Sequence, residues 1–341
     1  MKPTSLKISL ALTALALCLS CTSRGSSDGS EQTLSEVDTS RMTPVELTDL
    51  SAIAVSASAL NDSGADSVLR QLAAPMTALM RLTGAGDTAD VVSVRVYASG
   101  RVMKMFYPEV RCAFPQTDSL NHVLTLLGAR FARLLPDVVF PRLYGVVSPY
   151  SQSVIMVGDS VSFLVMNHYL GPSHPAYNGF AEYVRRNKTP GRIPLDLAEA
   201  VVSTAMPYDA GETPTVLSRL LYEGAVVEAV MQLGGVSEAE ALAYTPDEMA
   251  WANENEAAAW DALLKRRMLF STDQETAVRL TAPMASTSIL NAESPGRLGR
   301  FIGHRIVAAY LRANSSAKLA DLLRPAFYAS PSTLSAASYP R

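Results

Sequence analysis

The sequence is poor in the residues that most often carry chemistry. Among its 341 residues it has three cysteines, four histidines and two tryptophans. Cys18, Cys21 and Cys112 are too few for a disulfide framework, which excludes the small stapled domains of secreted proteins. His122, His168, His174 and His304 include no pair at i,i+4 spacing. No helix can therefore offer two imidazoles to one zinc in a His-Glu-x-x-His motif. A Gly-x-Ser-x-Gly elbow and a phosphate-cradling glycine loop are also missing. Charge is thin, with 29 basic residues against 32 acidic ones and no dense basic run, so nucleic-acid binding is not indicated. After the leader, no stretch approaches the roughly 20 apolar residues that span a bilayer. The 48% hydrophobic content is therefore read as core.

The order of the first residues is that of an export signal. Lys2 and Lys7 form a basic start, and Ile8 to Leu19 is an apolar run too short to anchor as a spanning helix. Leu19-Ser20-Cys21 then puts a small residue directly before a cysteine, as bacterial lipidation requires. A cut before Cys18 would leave bulky Leu17 at the preceding position, and an ordinary secreted protein would need no cysteine here. The expectation is a lipoprotein signal peptide over residues 1–20 and lipid, including palmitate-type acyl chains, on Cys21. More than one chain suffices for stable anchoring. Losing Lys2 and Lys7 takes the formal charge from −3 to −5. Residues 21–42, opening Thr22-Ser23-Arg24-Gly25-Ser26-Ser27, are too polar to bury and are read as a flexible tether. The folded domain is expected over residues 43–341.

Residues 43–83 read as helical, with Leu69, Leu72, Met76 and Met80 at helical spacing. Val92, Val94 and Val96 alternate with Ser93, Arg95 and Tyr97, which predicts a strand over Val91–Ala98. Ser99-Gly100 follows as a turn, with a second strand from Val102 to Tyr107. Asn121–Leu135 reads as an amphipathic helix with Val123, Leu127, Phe131 and Leu134 inward. Gln152–Val157 and Val161–Met166 form a hairpin around Gly158-Asp159-Ser160. Helices are expected at Pro194–Met206, after a Thr213-Pro214 cap, and over Leu298–Asn314. The second of these carries a stripe of Leu217, Leu220, Leu221, Gly224, Val227 and Met231. Ser237 with Glu240, Thr245 with Glu248, and Thr272 with Glu275 each fit a capping box. The fold class is α+β: one helix-dominated domain with a small antiparallel sheet.

Few positions qualify as sites. His168 and His174 flank Leu170-Gly171-Pro172 and are weak candidates for a metal pair, against the commoner reading of loop histidines. Gly158-Asp159-Ser160 has the look of an esterase nucleophile block, but a strand rather than a helix follows it, so it reads as a turn. Glu223 is the candidate catalytic residue, because a carboxylate on an apolar helix needs a partner or a raised pKa. Arg219 and Arg297 are the partners that would make it structural instead. Glu228 reads as a solvated residue near the helix end. Gly299 and Gly303 lie one turn apart, and glycine costs a helix about 1 kcal/mol relative to alanine. Their spacing points to another element packed close to the backbone, or to a site wall made by the same approach. No cofactor is indicated.

Several blocks, in order, resemble the gliding-motility lipoprotein GldB family. They are Tyr144-Gly145-Val146-Val147-Ser148-Pro149-Tyr150; His168-Tyr169-Leu170-Gly171 with Pro175-Ala176-Tyr177; and Leu221-Tyr222-Glu223-Gly224. Trp251, Asn255-Glu256, Trp260 and Leu269-Phe270-Ser271-Thr272-Asp273 follow. The most specific block runs from Ser294-Pro295-Gly296-Arg297 through Phe301-Ile302-Gly303-His304. The resemblance covers about residues 135–325. It implies a lipid-anchored envelope protein facing the periplasm of a Bacteroidetes-type cell, attached to the inner or outer membrane through Cys21. It also implies an envelope protein partner, a binding or scaffolding role in gliding motility, and no known reaction. The layout is also distantly similar to zincin-type metallopeptidases, in which a Glu-Gly pair such as Glu223-Gly224 supplies a zinc ligand. The preceding helix has Glu199 but no histidine, so this likeness implies a shell without its metal. The rival reading is an envelope hydrolase with an unorthodox site built from Glu199, Glu223 and His168 or His174.

Overall fold

Helix caps and apolar residues at helical spacing recur along the chain, and helix accordingly dominates the architecture. The computed structural model describes residues 42–288 and 292–339. The leader, Cys21 and most of the tether lie outside the described residues. A short strand β1 (Leu47–Asp49) runs straight into α1 (Leu50–Ser58). Asp49 caps that helix by accepting from the Ala52 amide at 2.8 Å. Then come α2 (Asp62–Arg70), α3 (Ala73–Thr83), α4 (Val91–Ser99), α5 (Arg101–Ala113) and α6 (Asp118–Leu134). Residues 43–83 are thus three helices behind one short strand.

The two strands expected over Val91–Ala98 and Val102–Tyr107 are helices, α4 and α5. Asp90 nucleates the first by accepting from the Ser93 amide at 2.8 Å. Its inward set is Val91, Val94 and Tyr97, a spacing of three, whereas Val92 and Val96 are 70% and 51% exposed. The alternation of valines was therefore a coincidence laid over a helical period. In α6 the inward residues are Leu124, Leu127 and Phe131, while Val123 is exposed.

The sheet has the order β1-β2-β4-β3, with β2 at Arg142–Val146, β3 at Val154–Val157 and β4 at Val161–Val165. β1, β2 and β4 run parallel, and only the β3–β4 hairpin is antiparallel. The small sheet is thus mixed, and the expected hairpin supplies its antiparallel part. Gly158 turns that hairpin at φ 65°, a left-handed conformation that glycine takes without steric cost. Two buried polar links hold the sheet. Tyr97 donates to the Val147 carbonyl at 2.7 Å while Ser51 accepts from the Val147 amide at 2.8 Å. Asn167 pairs with both the amide and the carbonyl of Ser148, each at 3.0 Å.

The second half holds α7 (Glu182–Arg185), α8 (Ile193–Ala205), α9 (Val216–Gly234), α10 (Glu238–Leu242), α11 (Pro246–Glu254) and α12 (Glu256–Lys265). It closes with α13 (Gln274–Thr281), α14 (Leu298–Ala313) and the short α15 (Leu319–Leu322), α16 (Pro325–Tyr328) and α17 (Thr333–Ala337). The boxes at Ser237/Glu240 and Thr245/Glu248 form as expected. Two cap assignments shift. Thr215, not Thr213, caps α9, because Ser218 completes a box with it. Asp273, not Thr272, caps α13 by accepting from the Glu275 amide at 3.1 Å.

α9 is the central helix, buried around most of its circumference rather than along one stripe. α14 crosses it at backbone contact. A Cβ on Gly303 would stand 1.8 Å from the Leu220 carbonyl oxygen, and one on Gly224 would stand 2.2 Å from the Gly303 carbonyl carbon. The close packing read from Gly299 and Gly303 is therefore present, and it excludes any larger side chain at the crossing.

Candidate functional site

A cleft of about 570 Å³ opens between the start of β3, helix α8, the segment around Lys188 and the turn before α14. Helix α8 forms its floor because Asp196, Glu199 and Ser203, at i, i+3 and i+7, share one face. The 182–192 wall is tied down by Arg186, which meets Glu248 at 2.6 Å and the Ala243 carbonyl at 3.1 Å. Arg192 reaches the Glu240 carbonyl at 2.6 Å from the same wall. The turn before α14 is held by Thr287, whose hydroxyl donates to the Pro295 carbonyl at 2.7 Å and accepts from the Leu298 amide at 3.2 Å. Tyr244 adds a hydrogen bond to the Gly296 carbonyl at 2.8 Å. These ties hold Arg297 at φ 61°, a left-handed conformation uncommon for a residue with a long side chain.

Charges in and beneath the cleft are organised in two sets. Asp196 accepts from Tyr169 at 3.0 Å and from Arg192 at 3.1 Å. Burial raises its pKa, and the Arg192 cation only partly offsets that. Arg300, with 4% of its side chain exposed, forms the second set. Its Nη1 meets Glu199 at 2.9 Å, and its Nε lies 3.3 Å from Glu223, a charge contact whose angle does not make a hydrogen bond. Glu223 also takes Arg219 at 2.8 Å, one turn away on α9. For Glu199, burial pushes the pKa up, but Arg300 and then Arg297 outweigh it, so the pKa is lowered. Arg219–Glu223–Arg300–Glu199 is thus an alternating ladder running from α9 through α14 to α8.

Glu223 has the arginine partner that sequence reasoning weighed, Arg219, and a second one in Arg300. Arg297 instead donates to the Leu242 carbonyl at 3.2 Å. Among the described residues neither Arg297 nor Lys188 has a carboxylate within ion-pair distance. His168 is buried behind Lys188, with its Nε2 2.8 Å from the Tyr150 carbonyl and its Nδ1 against the Lys188 ammonium. This arrangement fits the neutral tautomer protonated on Nε2. Burial, and then Lys188, push the His168 pKa down to about 4. His174 lies elsewhere. Its Nδ1 accepts from the Ala176 amide at 3.3 Å, and its Nε2 sits 3.9 Å from Glu109. Among the described residues no group of three His, Cys, Asp or Glu side chains is placed to hold a metal.

Glu228 corrects a further expectation. It is mostly shielded from solvent, with 13% of its side chain exposed, and it meets His304 Nε2 at 2.8 Å, while His304 Nδ1 meets Glu238 at 2.5 Å. Sequence reasoning also passed over Asp196, Arg192 and Lys188. The i,i+4 spacing of Arg192 and Asp196 was a usable signal, whereas nothing local marks Lys188.

Fold and cleft together define a helix-dominated α+β domain whose partly buried carboxylates are matched by arginines and whose open cleft adjoins a sheet edge. The model of the family described as gliding motility protein GldB matches residues 33–339, and the chain belongs to that family. The match takes in the N-terminal helices as well as the blocks from 135 to 325. No curated protein and no solved structure matches the chain. No helix among the described residues is long and apolar enough to cross a membrane.

Proposed function

We propose that this chain is a lipid-anchored envelope protein that holds a partner segment in its cleft and performs no chemistry. The leader over residues 1–20 exports it, acyl chains on Cys21 anchor it on the periplasmic side of a membrane, and residues 21–42 tether the domain. A partner in the gliding-motility apparatus accords with its family. The observation that carries the non-catalytic reading is Arg300. A general base needs a carboxylate with an open lone pair and a pKa near working pH, and a metal ligand needs an open lone pair on an ionised carboxylate. Arg300 holds one oxygen of Glu199 and neighbours Glu223, and Arg219 takes the other oxygen of Glu223.

The sheet edge supports the binding half of the proposal. Among the described residues β3 pairs with β4 on one side only. The Ser153 carbonyl accepts from the Val165 amide, so Ser153, Ile155 and Val157 turn their backbone groups toward β4. Val154 and Met156 turn theirs outward, where an added strand can pair with them.

Metal content of the full-length protein in detergent, measured by mass spectrometry after dialysis against trace zinc, tests the absence of metal-assisted catalysis. Substoichiometric zinc is expected. Stoichiometric zinc that disappears in Glu199→Gln or His168→Asn would overturn the proposal in favour of a hydrolase. Anchoring is tested by Cys21→Ser, which should move the protein from the membrane to the soluble fraction.

A further inference from the structure

The cleft carries an imbalance that its ion pairs leave over. Arg192 is matched by Asp196, and Glu199 is matched by Arg300 from below. Lys188 and Arg297 line the same cleft, and among the described residues neither has a carboxylate within ion-pair distance, although Asp196 acts on both and Glu199 on Arg297 from farther away. Lys188 is half-buried, with its ammonium against neutral His168 and 5.6 Å from the centre of the Phe180 ring. Arg297 is partly buried, with one guanidinium nitrogen on the Leu242 carbonyl.

Both cations are costly where they stand. Taking a cation partly out of water is unfavourable when carboxylates act on it only from beyond ion-pair distance, and the left-handed backbone at Arg297 adds strain. The surrounding hydrogen bonds from Thr287 and Tyr244 hold that conformation in place. The pattern fits a pair of cations poised for an anion supplied from outside. The cleft adjoins Ser151, Gln152, Ser153 and Val154, which lead into the open edge of β3. An anion reaching the cations from that edge belongs to an extended chain.

We infer that the cleft recognises an extended peptide through a carboxylate, an acidic side chain or a free C-terminus, held by Lys188 and Arg297. This inference rests on the binding role proposed above and specifies the chemistry of the partner segment. Backbone pairing along β3 supplies affinity that is indifferent to sequence, and the two cations supply selection for negative charge.

The test uses full-length protein in detergent and a library of random N-acetylated peptides, made once with free carboxyl termini and once amidated. Wild-type protein should enrich peptides that carry Asp, Glu or a free C-terminus, and less strongly as salt is raised. Lys188→Met keeps the apolar stem, and Arg297→Asn suits the left-handed backbone. Each should weaken binding of an enriched acidic peptide about tenfold, the loss expected for one charge-assisted hydrogen bond. Binding of its neutral, amidated analogue should not change. Lys188→Glu should shift the enrichment toward basic peptides. Enrichment without preference for carboxylates would overturn this inference and leave the binding role standing. Failure to retain any peptide would overturn both. Unchanged preference in Lys188→Met and Arg297→Asn, with melting curves like wild type, would overturn the assignment to these residues.

Discussion

His304 offers the sharpest quantitative test. It is buried on α14 between Glu228 of α9 and Glu238 of α10, at 2.8 and 2.5 Å. Gln232 also binds Glu228, at 2.7 Å, and Arg305 also binds Glu238, at 3.1 Å. Burial alone would lower the imidazole pKa, but the two carboxylates outweigh it and raise the pKa to about 9. In the unfolded chain the same group titrates near 6.5. Between those values the folded protein binds one proton more than the unfolded chain, so stability falls as pH rises. The contribution is complete below about pH 6.5 and is lost by about pH 9, a total of about 3 kcal/mol. Urea unfolding followed by circular dichroism, at steps from pH 6 to pH 9.5, measures it. His304→Gln keeps hydrogen-bonding capacity but not the charge. It should cost about 3 kcal/mol at pH 6, where it leaves two buried carboxylates with one cation, and progressively less toward pH 9. Lys188 and the tyrosines titrate in both proteins, so the difference between the two curves isolates His304. Parallel curves for wild type and His304→Gln would refute the reasoning, because the histidine would then carry no linked proton.

Three further outcomes follow from the same structure. His168, with its pKa pushed down to about 4 by burial and Lys188, should contribute the opposite slope. Its stabilisation is complete above about pH 6.5 and is lost by about 3 kcal/mol as pH falls to 4, and urea midpoints of His168→Asn should lack that acid-side loss. Gly303→Ala would put a Cβ 1.8 Å from the Leu220 oxygen. It should destabilise by about 3 kcal/mol or more, read as a lower thermal midpoint. Arg300→Leu alone should cost about 4 kcal/mol by stranding Glu199 and Glu223. Adding Glu199→Gln and Glu223→Gln should recover most of that loss, and a strictly additive cycle in urea would dissolve the ladder as a unit.

What the sequence made legible was local. Ser237 with Glu240, and Thr245 with Glu248, announce helix starts because cap and partner are three residues apart. Gly299 and Gly303 announce a close crossing because both glycines sit on one turn. The hairpin at Gly158 is equally short-range. Helix α4 misled because Val92, Val94 and Val96 alternate, while the deciding cap at Asp90 and the tyrosine bond to Val147 depend on a cap outside that run and a partner far along the chain. The site was harder for the same reason. Glu199 meets an arginine 101 residues later, and His304 meets carboxylates 76 and 66 residues earlier. Spacing along the chain carries no trace of such pairs. The i,i+4 pair Arg219–Glu223 was the exception: of the two partners that local reasoning named, Arg219 and Arg297, the one a helical turn away is the one that forms.

The packing of α14 on α9 is also what arranges the charges. Arg297, Arg300 and His304 stand at the first residues of one helix whose Gly299 and Gly303 rest against Leu220 and Gly224. Because the backbones touch there, α14 can neither slide nor roll without a clash, so its three cations keep fixed positions relative to α8, α9 and α10. Arg300 then reaches both Glu199 and Glu223, and His304 reaches both Glu228 and Glu238. Arg297, one turn earlier and outside the crossing, is left facing the cleft. The glycines thus do more than admit a close neighbour, since they set which cations are consumed inside the fold and which remains for a partner. On this account, enlarging Gly303 should weaken binding of an acidic peptide even in conditions where the variant stays folded. Arg297→Asn should weaken binding without lowering the unfolding midpoint.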